Sequence, residues 1–576
     1  MLIGAMISLS LFVHSVEAGS PAIEGLWSTL PYEMPVNPVH CGLLHSGKVL
    51  IVVRSEGKGN RPSYGAVWDP QSGTIIVQTL LWDLFCSGMA SLPDGRFLIV
   101  GGRKPAYGDP RATVFDPATE KFTQVESMSH GRWYATVMAL GDGGLMTFSG
   151  KDEYGNVNKA VELYHVSSGW SPEYVAPWKP PLYPRLHLLP NGNIFYPGKN
   201  SHLFTPATQT WTLNVAHTVY SSDRKYDASV LLPLRPEIGY IPRILIMGGN
   251  SPATATAEII DLSVPSPAWQ MTAPMSKPRI QMNAVILPTG KVLALGGSEI
   301  SKDPGTASLA ADLFDPAAET WSPAGVATYP RLYHSVALLM PDATVWVAGS
   351  NPIRDIYEKH MEIYSPAYLF TTDGNGNVIP APRPVITDVP AEIGYGSAFT
   401  IQTPNDADTG SVVLVRPGST THAFDMEQRL IGLSFSVSTP GTLTATAPPN
   451  GFIAPPGYYM LFILDQAGVP SVAKFVHLTS VPTDQPPTGT ITSPAGDVTI
   501  QVGQSVDFAG SATDPDGPVA AYSWIFPEGD PSASSAQSPG FVTFDDVGTY
   551  VVSLTVFDDF GVNDPSPPTR TISVQP

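Results

Sequence analysis

Side chains able to bind a metal recur at one position of an internal repeat. The position lies eight residues before a turn in five repeat units, and its occupants are Cys86, Tyr134, Tyr183, Gln281 and His334. Tyr333 adjoins the last of them. A thiol, phenols and an imidazole that converge offer N and O donors, and mixed N,O ligation suits Cu(II). Zinc more usually recruits thiolate, imidazole or carboxylate. Taken singly, each residue also has a structural interpretation, as a buried thiol, a core aromatic or a hydrogen-bonded histidine.

The repeat that must position these side chains has a period near 50 residues. A strand ending in an aromatic or aliphatic residue recurs at Trp68, Phe115, Tyr164, Phe204, Ile260, Phe314 and Tyr364. Paired apolar strands that close on glycine, as in residues 284–297, lie between these marks. This pattern is typical of a kelch-type β-propeller, whose inner strands surround one central channel. The seven marks predict seven blades, with residues 40–53 completing the ring together with the last blade. Units of a β-sandwich array would be about twice as long.

The repeat stops after Tyr364, and two further β-units are predicted. Residues 381–480 show the alternating strands of one Ig-like sandwich. A Pro-rich linker, 481–487, leads to residues 488–576, where the stretches 521–526 and 547–550 resemble a PKD domain, a small sandwich. Residues 514–517 (Asp-Pro-Asp-Gly) are compatible with a Ca²⁺ ligand loop but more often form a plain turn. The predicted fold class is therefore all-β, with the propeller spanning residues 19–380.

Composition and charge exclude several classes of protein. The 576 residues carry 31 Lys+Arg against 50 Asp+Glu, a net charge of −19 that argues against nucleic-acid binding. Two cysteines cannot form a disulfide framework. Beyond the N-terminus no apolar run is long enough to span a bilayer, so no integral membrane segment is expected. Residues 2–13 with a small-residue cleavage site after Ala18 are typical of a signal peptide, residues 1–18, although no basic residue precedes the apolar run. We therefore expect a secreted protein.

Seven short motifs resemble the galactose oxidase/glyoxal oxidase family of copper-radical oxidases. They occur in family order at family-like distances over roughly residues 20–480, and exclude the PKD-like tail. The motifs are Phe85–Gly88 (FCSG), Gly131–Thr136 (GRWYAT), Arg331–Ser335 (RLYHS), Gly349–Pro352 (GSNP), Thr420–Phe424 (TTHAF), Gln428–Arg429 and Pro455–Met460 (PPGYYM).

The resemblance implies a role for each matched residue. It implies that Tyr134 is a copper ligand joined to Cys86 by a thioether, and that this pair holds a radical. It implies that Tyr333 is the axial ligand and the base, with His334 and His422 as the imidazole ligands. Because His422 belongs to the Ig-like unit, a loop of that unit must reach into the propeller channel. Copper stabilises a phenolate, which makes proton abstraction by a tyrosine feasible at neutral pH.

Two features near this set leave the substrate open. In galactose oxidase a tryptophan stacks on the cross-linked tyrosine, and the matching place here is about Asp152, so that Trp133 and Tyr154 remain as candidates to cover the ring. The sequence Arg132–Tyr134 is closer to the glyoxal oxidase branch. For Arg132 two alternatives stay open: binding a carboxylate or hydrated aldehyde beside the copper, or pairing with a structural acid.

The leading hypothesis is a secreted oxidase of aldehydes or primary alcohols that reduces O₂ to H₂O₂. The alternative is a non-catalytic propeller that binds glycans or mediates adhesion, and the PKD-like tail is compatible with a polysaccharide or cell-surface contact. A binding module has no need for Cys86, Tyr134, Tyr333, His334 and His422 together. A hydrolase lacks support because no nucleophile elbow or zincin motif is present. A disulfide between Cys41 and Cys86 is the competing fate of the second thiol.

Overall fold

A computed structural model describes residues 19–53, 63–103, 107–353, 356–479, 486–514, 518–558 and 561–576. The predicted signal segment 1–18 and most of the predicted linker lie outside the described residues, as do residues 515–517 of the possible calcium loop. Almost every regular element is a β-strand, which confirms the predicted all-β class. The helices are short: α1 (Pro21–Glu24) and five 3₁₀ turns at Pro206–Thr208, Pro236–Ile238, Pro304–Thr306, Ala367–Leu369 and Asp406–Asp408.

Between residues 26 and 365, the described chain forms sheets built on four-stranded antiparallel meanders, here named blades 1 to 7. The first strand of the chain is β1 (Leu26–Glu33). Blade 1 contains β2 (Pro38–Leu43), β3 (Val49–Val53), β4 (Ser63–Trp68) and β5 (Ile75–Leu80); blade 2 contains β6 (Gly88–Ser91), β7 (Phe97–Val100), β8 (Ala112–Asp116) and β9 (Lys121–Val125). Blade 3 contains β10 (Thr136–Ala139), β11 (Leu145–Phe148), β12 (Ala160–His165), β13 (Gly169–Trp170) and β14 (Tyr174–Val175); blade 4 contains β15 (His187–Leu188), β16 (Ile194–Tyr196), β17 (Asn200–Thr205) and β18 (Thr210–His217).

The last three blades follow the same order. Blade 5 contains β19 (Ala228–Leu231), β20 (Arg243–Met247), β21 (Ala257–Asp261) and β22 (Trp269–Met271); blade 6 contains β23 (Ile280–Ile286), β24 (Val292–Ser298), β25 (Ala310–Asp315) and β26 (Thr320–Val326). Blade 7 contains β27 (Val336–Leu339), β28 (Val345–Ala348) and β29 (His360–Ser365), and a hairpin of β30 (Phe370–Thr372) and β31 (Val378–Pro380) follows it. Inner strands such as β23 are buried at every residue, whereas outer strands such as β9 are mostly exposed. This gradient is expected when inner strands of neighbouring blades pack around a channel.

The ring closes differently from the sequence-based prediction. Strand β1 pairs antiparallel with β29 and supplies the outer strand of blade 7. The segment 40–53, predicted to complete the last blade, instead forms β2 and β3 of blade 1. That prediction was wrong because the apolar pattern of β2–β3 is that of any inner strand pair, whereas β1 alternates exposed and half-buried residues, as an outer strand does.

Residues 392–479 form an Ig-like sandwich of two sheets. One sheet has the order β32 (Glu392–Gly394), β41 (Lys474–Thr479), β40 (Gly457–Asp465), β34 (Thr409–Arg416) and β37 (Arg429–Leu433), and the other has the order β33 (Ala398–Gln402), β39 (Thr442–Thr446) and β38 (Phe435–Thr439). A hairpin of β35 (Ser419–Thr421) and β36 (Phe424–Asp425) leaves this sandwich and joins blade 1. Strand β35 pairs antiparallel with β2, with Thr421 opposite His40. The hairpin therefore extends the innermost edge of a blade into the channel.

The C-terminal residues form a second, separate sandwich with its own apolar core, which contains Trp524 and Phe526. One sheet has the strand order β42 (Thr488–Ser493), β44 (Gln504–Thr513), β48 (Gly540–Phe544) and β46 (Gly529–Asp530). The other sheet has the strand order β43 (Val498–Gln501), β50 (Thr569–Gln575), β49 (Gly548–Asp558), β45 (Val519–Ile525) and β47 (Ala533–Ser534). It touches blade 4, where the Ser523 hydroxyl donates to the Ala207 carbonyl. In the described part of the chain, no helix has the length and apolar character needed to cross a membrane.

Candidate metal centre

The five residues aligned from the sequence repeat share an unusual backbone conformation. Each of the five residues adopts a left-handed conformation, with φ of 55° at Cys86, 72° at Tyr134, 48° at Tyr183, 62° at Gln281 and 65° at His334. Such values are uncommon in residues other than glycine and signal a conformation that the surrounding structure enforces. The repeat therefore places one strained residue within a few residues of the start of the inner strand in each of these blades.

Hydrogen bonds between neighbouring blades link these left-handed residues directly. The Tyr134 N–H donates to the Cys86 carbonyl at 2.8 Å, and the Tyr183 N–H donates to the Tyr134 carbonyl at 2.9 Å. On the other side of the ring, the Gln281 N–H donates to the Tyr226 carbonyl at 3.1 Å. Cys86 and Tyr134 are therefore adjacent although 48 residues separate them in the chain.

Arg132 holds the loop that carries Tyr134 in place through a buried ion pair. Its guanidinium is fully buried, pairs with the equally buried Glu162 at 2.7 Å, and donates to the Ser149 carbonyl at 2.9 Å. Glu162 in turn accepts the Ser129 N–H at 2.8 Å. Burial lowers the pKa of Arg132, and the Glu162 charge opposes that shift. Of the two alternatives for Arg132, the structure shows the pairing with a structural acid, and Arg132 does not line the cavity beside the donor set.

The same anchor recurs in other blades of the described chain. An arginine just before the inner strand pairs with an acid on the third strand and donates to a carbonyl at the end of the second. Besides Arg132–Glu162, the pairs are Arg224–Glu258 (2.7 Å), Arg279–Asp312 (2.8 Å) and Arg331–Glu362 (2.7 Å). Each acid also accepts a backbone N–H from the loop that enters the blade. The anchor therefore fixes the loop that carries the left-handed residue.

The residues implied by the family resemblance converge at one point of the channel. The Tyr134 and Tyr333 hydroxyl oxygens are 3.2 Å apart, and the Cys86 sulfur is 3.5 Å from His422 Nε2. Ligand atoms of Cys86, His334 and His422 all lie within 4.8 Å of one another, and all three residues are buried. The ring centroids of His334 and His422 are 4.7 Å apart. Two imidazoles, two phenols and a thiol therefore share one small volume.

Both histidines are oriented by partners on their Nδ1 atoms. His334 Nδ1 lies 2.7 Å from the Asn351 side-chain oxygen. His422 Nδ1 lies 2.6 Å from the Thr421 hydroxyl, and that hydroxyl donates to the Val39 carbonyl at 2.7 Å. Each Nδ1 thus serves as the donor, which leaves Nε2 as the acceptor nitrogen of a neutral ring. Metal-binding histidines are commonly held in this way.

Burial shifts the pKa values of His422 and of the two tyrosines in the direction of their neutral forms. The pKa of His422 lies well below its usual value, first because of burial and then because of nearby positive groups such as His334. The pKa values of Tyr134 and Tyr333 lie above the usual phenol value, and burial is again the largest cause. Neutral imidazoles are ready to bind a metal, whereas phenolates need a neighbouring positive charge in order to form. A cation at this point would satisfy both conditions.

The Cys86 thiol lies within hydrogen-bonding reach of the Tyr134 hydroxyl. Neither cysteine forms a disulfide in this structure, and Cys41 lies in strand β2 within the large core shared by blades 1, 5, 6 and 7. Cys86 belongs instead to a small cluster around the channel that includes Tyr183 and Phe424. The surroundings of Cys86 therefore favour contact with Tyr134 over the disulfide considered from the sequence.

Three of these residues, Tyr134, Tyr333 and His334, line a cavity of about 290 Å³. Its described lining residues are Phe85, Arg103, Trp133, Tyr134, Lys302, Tyr333, His334, Asn351 and Ile353. Of the two candidates to cover the Tyr134 ring, Trp133 does so, with centroids 4.7 Å apart and the planes inclined by 44°. Tyr154 is 74% exposed and does not line this cavity. Asp152 caps its own loop by accepting the N–H groups of Tyr154 and Asn156.

Sequence reasoning missed four residues of this region. Tyr226 is left-handed (φ 52°), and its ring packs edge-on against that of Tyr333, with centroids 5.7 Å apart. Asn351 orients His334, and Arg103 and Lys302 line the cavity. Tyr226 could have been found from the sequence, because the arginine of its blade, Arg224, precedes it by two positions, as Arg132 precedes Tyr134.

Models of known families match three parts of the chain. "Glyoxal oxidase N-terminus" matches residues 62–368, "Galactose oxidase-like, Early set domain" matches residues 383–478, and "PKD domain" matches residues 486–574. The first match alone covers more than half of the chain. The chain therefore belongs to the glyoxal oxidase and galactose oxidase family of copper-radical oxidases.

Named relatives and a solved structure agree with this assignment. The chain is similar to the aldehyde oxidase GLOX of Vitis pseudoreticulata, at 31% identity over 466 residues, which is 72% of this chain and 86% of that protein. It is similar to galactose oxidase of Gibberella zeae, at 26% identity over 506 residues, 81% of this chain and 72% of that protein. It also resembles a fungal alcohol oxidase solved in complex with copper, with a TM-score of 0.68 and 26% identity over 78% of this chain and 99% of that one.

Proposed function

We propose that the protein is a mononuclear copper-radical oxidase that converts an aldehyde or a primary alcohol, with O₂, into the oxidised product and H₂O₂. The observation that carries this proposal is the convergence of Cys86, Tyr134, Tyr333, His334 and His422 at one point of the channel, where Tyr134, Tyr333 and His334 also line a cavity. A module that only binds glycans has no need for buried phenols held 3.2 Å apart next to two oriented imidazoles.

The donor set fits copper. His334 and His422 would supply their Nε2 atoms, and Tyr134 and Tyr333 would each supply a phenolate oxygen. Mixed imidazole and phenolate ligation suits Cu(II), and the depressed pKa of His422 means that this ligand needs no deprotonation to bind. When bound, one copper ion together with one organic radical would accept the two electrons that the substrate loses.

Four side chains around the candidate metal centre would each have a separate role in the reaction. Cys86 lies beside Tyr134, and we propose that its sulfur bonds to the Tyr134 ring while the thiol hydrogen and one ring hydrogen are lost, with O₂ as the oxidant. The sulfur substituent would make that phenol easier to oxidise. Trp133 packs against the same ring and shields it from water. The Tyr333 oxygen is placed to take the proton of the substrate hydroxyl, because Tyr333 lines the cavity and lies next to Tyr134.

The proposal is tested by measuring peroxide release from copper-loaded protein on a panel of aldehydes and primary alcohols. We expect turnover only after copper loading, and a loss of at least 100-fold in the Tyr333→Phe variant, which removes one oxygen atom. The matched control is Tyr183→Phe, since the Tyr183 hydroxyl donates to the Ser87 carbonyl at 2.8 Å and does not line the cavity. That control should stay within a few-fold of wild type. Full turnover in Tyr333→Phe, or none in a protein with one copper per chain, would refute the proposal.

We further propose that the enzyme is secreted and that the PKD-like sandwich contacts a polysaccharide or a cell surface. The apolar segment ending at Ala18 supports secretion, and the tail's separate core supports an accessory role. Intact-mass analysis of protein collected from culture medium should show an N-terminus at Gly19. Pull-down of residues 486–576 on insoluble polysaccharides, with the chain ending at Leu478 as control, tests the second part.

A further inference from the structure

A short segment at the start of blade 1 reaches the partners of both imidazoles in the candidate metal centre. We name residues 37–40 the entry segment, because they lead into the inner strand β2. Asn37 is buried, and its side-chain Nδ2 donates to the Asn351 side-chain oxygen at 2.8 Å. Two residues further on, the Val39 carbonyl accepts the Thr421 hydroxyl that holds the hairpin imidazole. One stretch of four residues therefore supports both histidines through their hydrogen-bond partners.

The Asn351 amide can present only its oxygen to His334. The Asn351 N–H donates to the Tyr333 carbonyl at 2.6 Å, and its side-chain Nδ2 donates to the Ile356 carbonyl at 2.6 Å. The remaining side-chain oxygen accepts from His334 Nδ1 at 2.7 Å and from Asn37 Nδ2 at 2.8 Å. Asn37 is thus the second donor that holds this oxygen in place, and the orientation of Asn351 decides which nitrogen of His334 carries the proton.

Packing alone does not account for an asparagine at position 37. The Asn37 side-chain oxygen is buried and, among the described residues, has no hydrogen-bond partner. A buried acceptor without a partner destabilises the folded protein, and an apolar side chain of similar size would avoid that loss. What this side chain contributes is therefore its donor, which is directed at the oxygen that orients His334.

We propose that Asn37 is a positioning residue for the copper ligand His334, acting through Asn351, and that the entry segment makes both imidazole ligands depend on one support. This inference rests on the proposed function, because it concerns the metal of that site. Asn37 keeps the Asn351 oxygen towards His334, which keeps the proton on Nδ1 and leaves Nε2 to bind copper. Loss of a polar partner of a metal-binding histidine typically lowers metal affinity by about 10- to 100-fold.

The experiment compares leucine variants of two equally buried asparagines in the full-length protein. We expect Asn37→Leu to weaken copper binding about tenfold, while its denaturation midpoint before copper loading stays equal to that of wild type or rises, because an unpaired acceptor is removed. The control is Asn158→Leu in blade 3. Asn37 and Asn158 are each 7% exposed, and the Asn158 side-chain oxygen accepts the Ala160 N–H at 2.8 Å. The control should lower the midpoint and keep copper affinity within twofold of wild type.

A spectroscopic measurement separates positioning from a change in stability. The electron spin echo of bound Cu(II), recorded on protein reduced so that no radical is present, reports the quadrupole coupling of Nδ1 in each imidazole, which depends on the hydrogen bond of that nitrogen. Asn37→Asp keeps the shape of the side chain but replaces the donor by an acceptor, so it should change the coupling of one imidazole. Thr421→Val should change that of the other, because it removes the hydroxyl that holds His422. Asn158→Leu should change neither.

Wild-type copper affinity and unchanged couplings in both Asn37 variants would overturn the inference. An equal loss of affinity in Asn158→Leu would also overturn it, since any buried asparagine would then support copper binding through the fold. If Asn37→Leu does not fold, the comparison of Asn37→Asp with wild type decides. Absence of copper binding by the wild-type chain would instead refute the proposed function.

Discussion

Blades 3 and 6 share one construction but differ in chemistry. Arg132 and Arg279 each pair with a buried acid, and each precedes a left-handed residue by two positions. In blade 3 that residue is Tyr134, which touches Cys86, Tyr333 and the hairpin residue His422; in blade 6 it is Gln281. The strained backbone is therefore a property of the repeat, and the side chain placed on it decides whether a blade contributes to the metal centre.

The difference follows from where the hairpin enters. Strand β35 pairs with β2 of blade 1, so His422 arrives beside blades 2 and 3 and completes a site with their left-handed residues. Arg185 of blade 4 also donates to the His422 carbonyl at 3.1 Å, which fixes the tip of the hairpin. A symmetric ring thus becomes an asymmetric site through one inserted hairpin.

Removing His422, the proposed ligand on the hairpin, should have the largest effect on copper binding. We expect His422→Ala to lower bound copper from one ion per chain to below 0.1, because one of two imidazole donors is lost from a buried site. His165→Ala, on the outer part of blade 3, is the control and should retain full copper. Metal analysis after dialysis checks both variants, and retention of copper by His422→Ala would exclude His422 as a ligand.

The second prediction concerns the bond between two left-handed residues. Digestion of copper-loaded, reduced and denatured protein should yield one species that joins the Cys86 and Tyr134 peptides and is two hydrogens lighter than their sum, since a thioether survives reductant and a disulfide does not. Cys86→Ser should lose this species and at least 100-fold of the turnover while staying folded. Cys41→Ala should keep both, because Cys41 lies in the blade core.

Separate Cys86 and Tyr134 peptides in an active, copper-loaded preparation would contradict the radical pair. The same digest also reports any peptide that joins Cys41 to Cys86, which reductant would cleave.

Arg132→Met and Arg279→Met separate stability from activity. Each variant leaves a buried acid unpaired, so each should lower the free energy of unfolding by about 3–5 kcal/mol. Only Arg132→Met should also reduce turnover, about tenfold or more, because its loop carries Tyr134. Chemical denaturation and peroxide assays on the two variants check this, and an equal loss of turnover in both would show that the blades are not functionally distinct.

Much of the fold and most of the site could be predicted from the sequence. The repeat period locates five left-handed positions, because the spacing from the turn is preserved in blades 2, 3, 4, 6 and 7. Tyr226 was missed because the connection after its strand contains a 3₁₀ turn at Pro236–Ile238 in place of the short turn used for alignment. Arg103 and Lys302 lie on loops outside that register, where only three-dimensional structure shows what they face. Arg132 illustrates a different limit, since its acid partner Glu162 lies thirty residues away on another strand.

Tyr226→Phe should lower turnover moderately, and it tests the contribution of blade 5 to the site. The variant removes a polar group from a ring that packs against Tyr333, with centroids 5.7 Å apart, and the loss of one polar interaction of about 1 kcal/mol corresponds to roughly fivefold. We expect kcat to fall about fivefold with little change in KM and no change in copper content. A loss as large as that of Tyr333→Phe would mean that blade 5 contributes an essential group and that the site is less asymmetric than the comparison of blades 3 and 6 indicates.

The smallest effect is expected from removing the C-terminal sandwich. A chain ending at Leu478 keeps all proposed ligands, and the sandwich beyond it has its own core, with Trp524 and Phe526. Its contact with blade 4, through Ser523 and Ala207, lies at the 3₁₀ turn that joins the two outer strands β17 and β18, away from the left-handed ring. Turnover and copper content should therefore stay within twofold of the full chain, whereas a chain ending at Pro380 should lose both because it lacks His422. Thermal unfolding followed with the peroxide assay distinguishes the cases. If the chain ending at Leu478 folds, binds copper and yet loses turnover, the C-terminal sandwich must influence the candidate metal centre. The residues that matter for catalysis would then include some outside the propeller and the hairpin.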